Sequence, residues 1–331
     1  MKVLKISLIV AALLIFSQTA IFAKTVKIKL GTFAPKETFW VKDLNWMGNE
    51  WKKLTKNGVR LKIYAGGIAG DEPAMAAKLR AGQLSAATLT VLGLQDFVPE
   101  TLIFSTPFLF KNDSEVHYVM EKILPDLEKR FEKKGFKVLH WSTLGWIYLF
   151  SKQKVETPAE LRALKLYVDS PEGSDVYKKV GFQSEQLSRL NLLKALSTDM
   201  VSAYTAAPIY SLANQWFGYA SHMMDYPLSP ALAATIVRND KWDAIDSKYH
   251  EALLESAHTI STNAEIQVLK FDVEAKKKMV ENSLIINSLT DDQKKIWRES
   301  FLKAYPVIQN KVSKTLFDKV EHLLVEYRKS Q

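Results

Sequence analysis

Val26, Ile28 and Leu30 alternate with lysines, and Val59, Leu61 and Ile63 repeat the pattern after the Asn57-Gly58 turn. A period of two predicts a strand at each place. Between them Leu44, Met47 and Trp51 fall on one face of a helix expected over 39–55. Two β-α units in succession predict a parallel α/β lobe. The same reading predicts a helix over 72–81, a buried strand over 84–92, and a helix ending near 134 that is capped by Asp113 or Ser114. Two strands follow, over 136–141 and 145–150. A second lobe is expected from about 150, where Thr157-Pro158 opens a short helix. It continues with a strand over 164–168, helices over 171–180 and 188–196, a strand over 200–204 and a crossover over 231–237. From 244 to 282 no proline or glycine interrupts apolar positions at threes and fours, among them Leu253, Ile260, Ala264 and Val268. At ~1.5 Å per residue such a helix is long enough to reach across two lobes. The tail offers two amphipathic helices separated near Pro306.

The 331 residues exceed the size at which one core keeps growing. The predicted division places 24–149 and about 235–265 in lobe I, and 150–234 and about 266–331 in lobe II, with helix 244–282 bridging them. The first residues form a unit of their own. Lys2 and Lys5 precede an apolar run over 6–16, and Ala20 and Ala23 offer cleavage sites, so 1–23 is expected to be an export signal. A retained anchor is the other reading, although the run falls short of the ~20 residues that span a bilayer. No later stretch is long and apolar enough to cross one, and the expected product is periplasmic.

The absence of cysteine excludes disulfides, thiolate metal sites, cysteine nucleophiles and a lipidated cysteine. The net charge of +9 is carried by lysines scattered over helices, such as Lys276-Lys277-Lys278, with no compact arginine and aromatic pattern. They read as solvated helix faces, and no nucleic-acid partner is expected. The six histidines are dispersed, and no GxSxG or HExxH motif occurs. The loop AGGIAGDE over 65–72 lacks the GK[ST] ending of a nucleotide loop and reads as a tight strand-to-helix turn. Asp71-Glu72 and Asp291-Asp292 sit at helix starts, where carboxylates favour the dipole. No enzyme activity, cofactor or metal is expected.

A series of short motifs then becomes specific by its order. KLGTFAP over 29–35, YAGGIAGD over 64–71, LRAGQL over 79–84, PFLF over 107–110, TPAELRALKL over 157–166 and ALST over 195–198 resemble the solute-binding proteins of TRAP transporters, DctP type. The resemblance covers nearly the whole mature chain. It implies a two-lobed α/β periplasmic binding protein fold with a ligand cleft between the lobes and a long helix spanning both. It also implies delivery of solute to membrane permease subunits.

The departures from that pattern concern the ligand. Members of the family present an arginine two residues after the lysine of a K-x-R strand, and a second two residues after a glycine of the preceding strand. This chain reads Lys165-Leu166-Tyr167 and Gly145-Trp146-Ile147. Without those arginines the usual carboxylate clamp is missing, and a hydrophobic or amphipathic ligand, fatty-acid or lipid-like, is expected. A dozen buried methylenes give ~10 kcal/mol gross before binding costs. The expected wall comprises Tyr167, Ile147, Trp146, Tyr148, Tyr204, Met200, Phe33, Trp40, Leu92, Trp216 and Met223. The chain looks most like the branch that works with a tetratricopeptide-repeat partner. The alternatives are a small-carboxylate carrier anchored by Lys165 or Arg162, and an envelope interaction module that does not transport.

Overall fold

The computed structural model describes residues 25–331. The expected export signal over 1–23 lies outside the described residues. β1 (Val26–Thr32) pairs in parallel with β2 (Val59–Tyr64) on one side and β3 (Ala86–Thr90) on the other. α1 (Phe39–Leu54) and α2 (Glu72–Arg80) supply the connections. Alternation decides what β1 buries: Ile28 and Leu30 enter the core with Leu44, Met47 and Trp51 of α1, while the intervening lysines stay outside.

α3 (Asp113–Lys133) is capped by Asn112, one residue before the expected positions. β4 (Phe136–Ser151) joins the two strands predicted separately. By sequence, one strand is expected to end at 141 and the next to begin at Gly145. Its φ of +86° lies instead at a register irregularity between Thr143 and Trp146, and the strand continues. β4 pairs antiparallel with β9 (Ser229–Arg238), and its last residues pair with β7 (Ala203–Ala206). It therefore belongs to both halves of one mixed sheet, whose main path runs β2-β1-β3-β9-β4-β7 and on through the strands Lys165–Val168 and Gln183–Gln186.

The second half adds α4 (Pro158–Arg162), β5 (Lys165–Val168), α5 (Pro171–Val180), β6 (Gln183–Gln186), α6 (Leu192–Ser197) and α7 (Pro208–Ala213). Thr157 and Glu160 close a reciprocal capping box on α4. The expected helix over 188–196 is a 3-10 turn, Arg189–Asn191, followed by α6. The expected strand over 200–204 starts only at Ala203, after Asp199 takes a φ of +57°. β8 (His222–Met224) joins the end of β4.

The bridging helix α8 (His250–Glu281) spans 32 residues. It starts later than expected because Asp246 accepts a hydrogen bond from the Lys248 N–H and opens a separate 3-10 turn. α8 packs on α1 and β4 of the first half and on α7 of the second. Trp51 fixes it by donating Nε1–H to Ser256 Oγ at 2.9 Å.

β10 (Ile285–Asn287) follows, and the tail forms three helices instead of two: α9 (Asp291–Leu302), α10 (Tyr305–Val312) and α11 (Lys314–Lys329). The tail was expected to stay with lobe II. α11 instead rests on α3, where Arg328 donates Nε–H to Glu115 Oε1 at 2.7 Å. Among the described residues no helix is long and apolar enough to cross a membrane. The fold is a two-lobed α/β structure whose crossing segments, β4, β9 and α8, leave a cleft between the lobes.

Candidate functional site

The cleft contains a cavity of about 230 Å³. Lobe I contributes the end of β3 and the helical turn Val91–Leu94, with Thr90, Leu92 and Gln95 at the wall. Lobe II contributes the carboxyl end of β5 and the start of α5, with Tyr167 and Asp169, and the start of the 3-10 turn at Arg189. Ile147 of β4 and the Ser229–Leu232 stretch of β9 close it from the crossing strands, and Ile308 and Lys311 of α10 from the tail. Ligands of open α/β sheets collect at the carboxyl ends of strands because side chains and helix starts converge there.

Two polar groups on this wall have no partner. The Tyr167 hydroxyl and Gln95 Oε1 are buried without a hydrogen bond, and the two residues are 4% and 8% exposed. Burial pushes the Tyr167 hydroxyl well above the usual phenol range, so it is present as O–H. An unpaired buried polar group costs on the order of 1–3 kcal/mol, which a ligand atom placed against it would offset.

The cation at the wall is already engaged. Arg189 donates from Nε to Asp169 Oδ2 at 3.0 Å and from a second guanidinium nitrogen to the same oxygen. Another nitrogen lies 3.5 Å from Glu72 Oε1, and the guanidinium sits 5.5 Å from the centre of the Phe33 ring. Burial works against its charge, but Asp169 and Glu72 more than offset that and hold Arg189 protonated. Glu72 is 3% exposed and accepts hydrogen bonds from the backbone N–H groups of Thr90 and Gly93, at 2.9 and 3.0 Å. Burial raises its pKa, against the pull of Arg189 and Thr90. Two carboxylates around one guanidinium leave Arg189 without free positive charge for the cavity. Lys311 lies 3.8 Å from Glu172 at another edge.

A smaller chamber of about 30 Å³ adjoins the cavity, the two sharing Thr90, Leu144 and Tyr210 as walls. Trp40 stacks on Tyr210 with ring centroids 5.0 Å apart. His140 is buried there, its Nδ1 3.2 Å from Ser142 Oγ; burial lowers its pKa to about 4 and leaves it neutral.

The family model for bacterial extracellular solute-binding protein, family 7 (DctP), matches residues 30–311. The chain belongs to this family. It is 25% identical to the 2,3-diketo-L-gulonate-binding periplasmic protein YiaO of Escherichia coli, over 76% of this chain and 77% of that one. Its fold is similar to that of a TRAP periplasmic solute-binding protein from Ralstonia eutropha with bound (S)-2-acetolactate, at a TM-score of 0.85, 18% identity, and 91% and 99% coverage of the two chains. A TRAP solute-binding protein from Desulfovibrio salexigens with bound orotic acid gives a TM-score of 0.85 at 14% identity, with the same coverages. These relatives are solute-binding proteins, not enzymes.

In this family 7 chain the cavity gathers only part of the expected wall. Tyr167, Ile147, Leu92 and Trp216 line it, while Phe33 and Trp40 face the smaller chamber. Trp146 and Tyr148 do not line it, because strand neighbours point to opposite faces and Ile147 takes the cavity side. Trp146 donates Nε1–H to Asp113 at 2.8 Å, and Tyr148 lies under the Lys276 ammonium at 4.0 Å from its ring centre. The same alternation sends Thr205 to the cavity and Tyr204 into the lobe II core, where it stacks on Phe150 at 5.1 Å and its hydroxyl meets Ser211 at 2.6 Å. Met223 is fully buried in that core, opposite Phe150. Met200 is 48% exposed on a turn outside the cavity. Lys165 and Arg162, the anchors of the alternative carrier, are exposed and not among the cavity residues.

Sequence reasoning missed Arg189, Asp169, Glu72, Gln95 and Tyr210. Asp71 and Glu72 do sit at the start of α2, where Asp71 Oδ1 accepts the Ala74 N–H, but the Glu72 carboxylate also reaches Thr90, Gly93 and Arg189. Position 167 lacks an arginine, but one reaches the same wall from a turn 22 residues later. The acidic residue just beyond β5, Asp169, was the available signal.

Proposed function

We propose that this chain is the periplasmic solute-binding subunit of a TRAP transporter and that it carries a compact amphipathic solute to the membrane permease. One observation supports this most: the cavity offers apolar wall and an unpartnered Tyr167 hydroxyl while its arginine is committed to Asp169 and Glu72. A cleft of this kind selects by shape and apolar contact and orients one polar group. The ligand is an amphipathic molecule with an apolar body and one polar head, of the fatty-acid or lipid-like class.

A second reading is favoured by the size of the cavity and by the relatives. YiaO is named for 2,3-diketo-L-gulonate, and the similar structures hold small acids. On this reading a small carboxylate displaces Asp169 or Glu72 from Arg189. Mass spectrometry of solvent extracts from the purified protein, followed by calorimetry with saturated acids from about four to twelve carbons and with succinate, separates the two. The expected result is affinity that rises along the series by up to about fourfold per added methylene, the ratio for ~0.8 kcal/mol. Binding of succinate with no gain along the series overturns it.

The domain division stands as a proposal too: 24–149 with about 235–265 form lobe I and 150–234 with about 266–331 lobe II, apart from α11. The pairing with a tetratricopeptide-repeat partner is likewise proposed on sequence likeness alone.

A further inference from the structure

Residues 188–190 belong to lobe II, yet each touches lobe I. Ser188 Oγ donates to Asp71 Oδ2 at 2.6 Å. Arg189 lies 3.5 Å from Glu72 and over the Phe33 ring. Leu190 presses on the loop before α2 so closely that a Cβ on Gly67 would meet its Cδ2 at 3.1 Å. Gly67 also holds a φ of +76°, so that loop is shaped for a residue without a side chain.

We propose that the Ser188–Leu190 turn is a clasp that closes the two lobes through groups of this chain alone, and that Arg189 is a positioning residue for the cleft, not a ligand anchor. Both halves of the clasp are preformed. On lobe II, Asp169 fixes the guanidinium through two donors. On lobe I, the backbone N–H groups of Thr90 and Gly93 fix the Glu72 carboxylate, and the Ala74 N–H fixes Asp71. Closing therefore joins groups that are already oriented and already neutralised in part. Little side-chain entropy remains to be lost on contact, which is the condition for a favourable closed state. It follows that the solute does not have to bridge the lobes with its own charges. Its entry and exit are instead limited by release of Arg189 from Glu72. The proposal rests on the amphipathic reading of the cleft, since a small acid that takes Arg189 would undo the clasp; lobe separation in the stripped protein is read without any solute, so its failure is distinguishable from the failure of that reading.

The absence of cysteine makes the test direct, since two introduced cysteines are the only labelling sites. Lys52→Cys on α1 and Lys179→Cys on α5 are exposed positions on opposite lobes. Spin labels there, read by double electron–electron resonance after the protein has been stripped of bound solute on a hydrophobic resin, report lobe separation directly. The expected result is a single short distance for the stripped protein. Arg189→Ala and Glu72→Gln are expected to add a longer one, with the ratio of closed to open falling at least about tenfold. Arg189→Lys is expected to restore part of the short distance, which a merely structural role would not do. Ser188→Ala, which leaves the charges in place, is expected to shift the ratio in the same direction and guards against loss of folding in the charge variants. Melting curves identify any variant that is simply unfolded. A stripped wild-type protein as open as Arg189→Ala overturns the proposal, as does a folded set of variants that all stay closed.

Discussion

Tyr167 combines deep burial with a hydroxyl that has no partner inside the protein. Removing only that oxygen separates its two consequences. Tyr167→Phe is expected to leave the melting temperature unchanged or slightly raised, because an unsatisfied buried group is lost. Solute affinity is expected to fall about three- to tenfold, the net worth of one hydrogen bond. Thermal melting and calorimetry on the same preparation check both. His140 gives the residue scale a pH signature. Its folded pKa near 4 lies below the ordinary value of 6.5, so the unfolded chain binds the extra proton. The associated stability is fully present above pH 6.5 and is lost as pH falls toward 4, by up to about 3 kcal/mol. Urea unfolding at pH 7.5 and 4.5 is expected to show a smaller acid loss for His140→Asn than for the wild type. An equal loss in both would remove His140 from the account.

At the scale of elements, the strand β4 shows how local signals mislead. Gly145 marked a boundary by composition, yet its positive φ lets one strand pass from the lobe I half of the sheet to the lobe II half. A Cβ at this position would meet Val268 Cγ1 at 3.3 Å in a backbone conformation that side chains disfavour. Gly145→Ala is therefore expected to lower stability by roughly 1–3 kcal/mol in equilibrium denaturation, with the midpoint moved and the slope kept. Alternation along the same strand explains the wall residues. Aromatic content pointed to Trp146 and Tyr148, but parity gave the cavity to Ile147 between them. Where a strand has both faces buried, composition does not say which face meets the cleft. The elements themselves were more legible. α1 and the body of α8 carry their own periodicity and α4 and α5 their own caps, and they form at the expected places, α8 alone starting six residues late.

For the molecule as a whole, the chain's own pattern of β-α units and one uninterrupted helix determined two α/β lobes with a brace across them, since periodicity and stop signals are local properties. The order of short motifs determined the family. What the chain could not announce is which side chains from distant segments converge. Arg189 became a clasp and not a free cation because Asp169 and Glu72, 20 and 117 residues earlier in the chain, arrive on either side of it. The size of the cavity, the parity of its walls and the return of α11 to α3 are set by how the lobes pack. Packing sums contacts over the whole fold, and no stretch of sequence contains that sum.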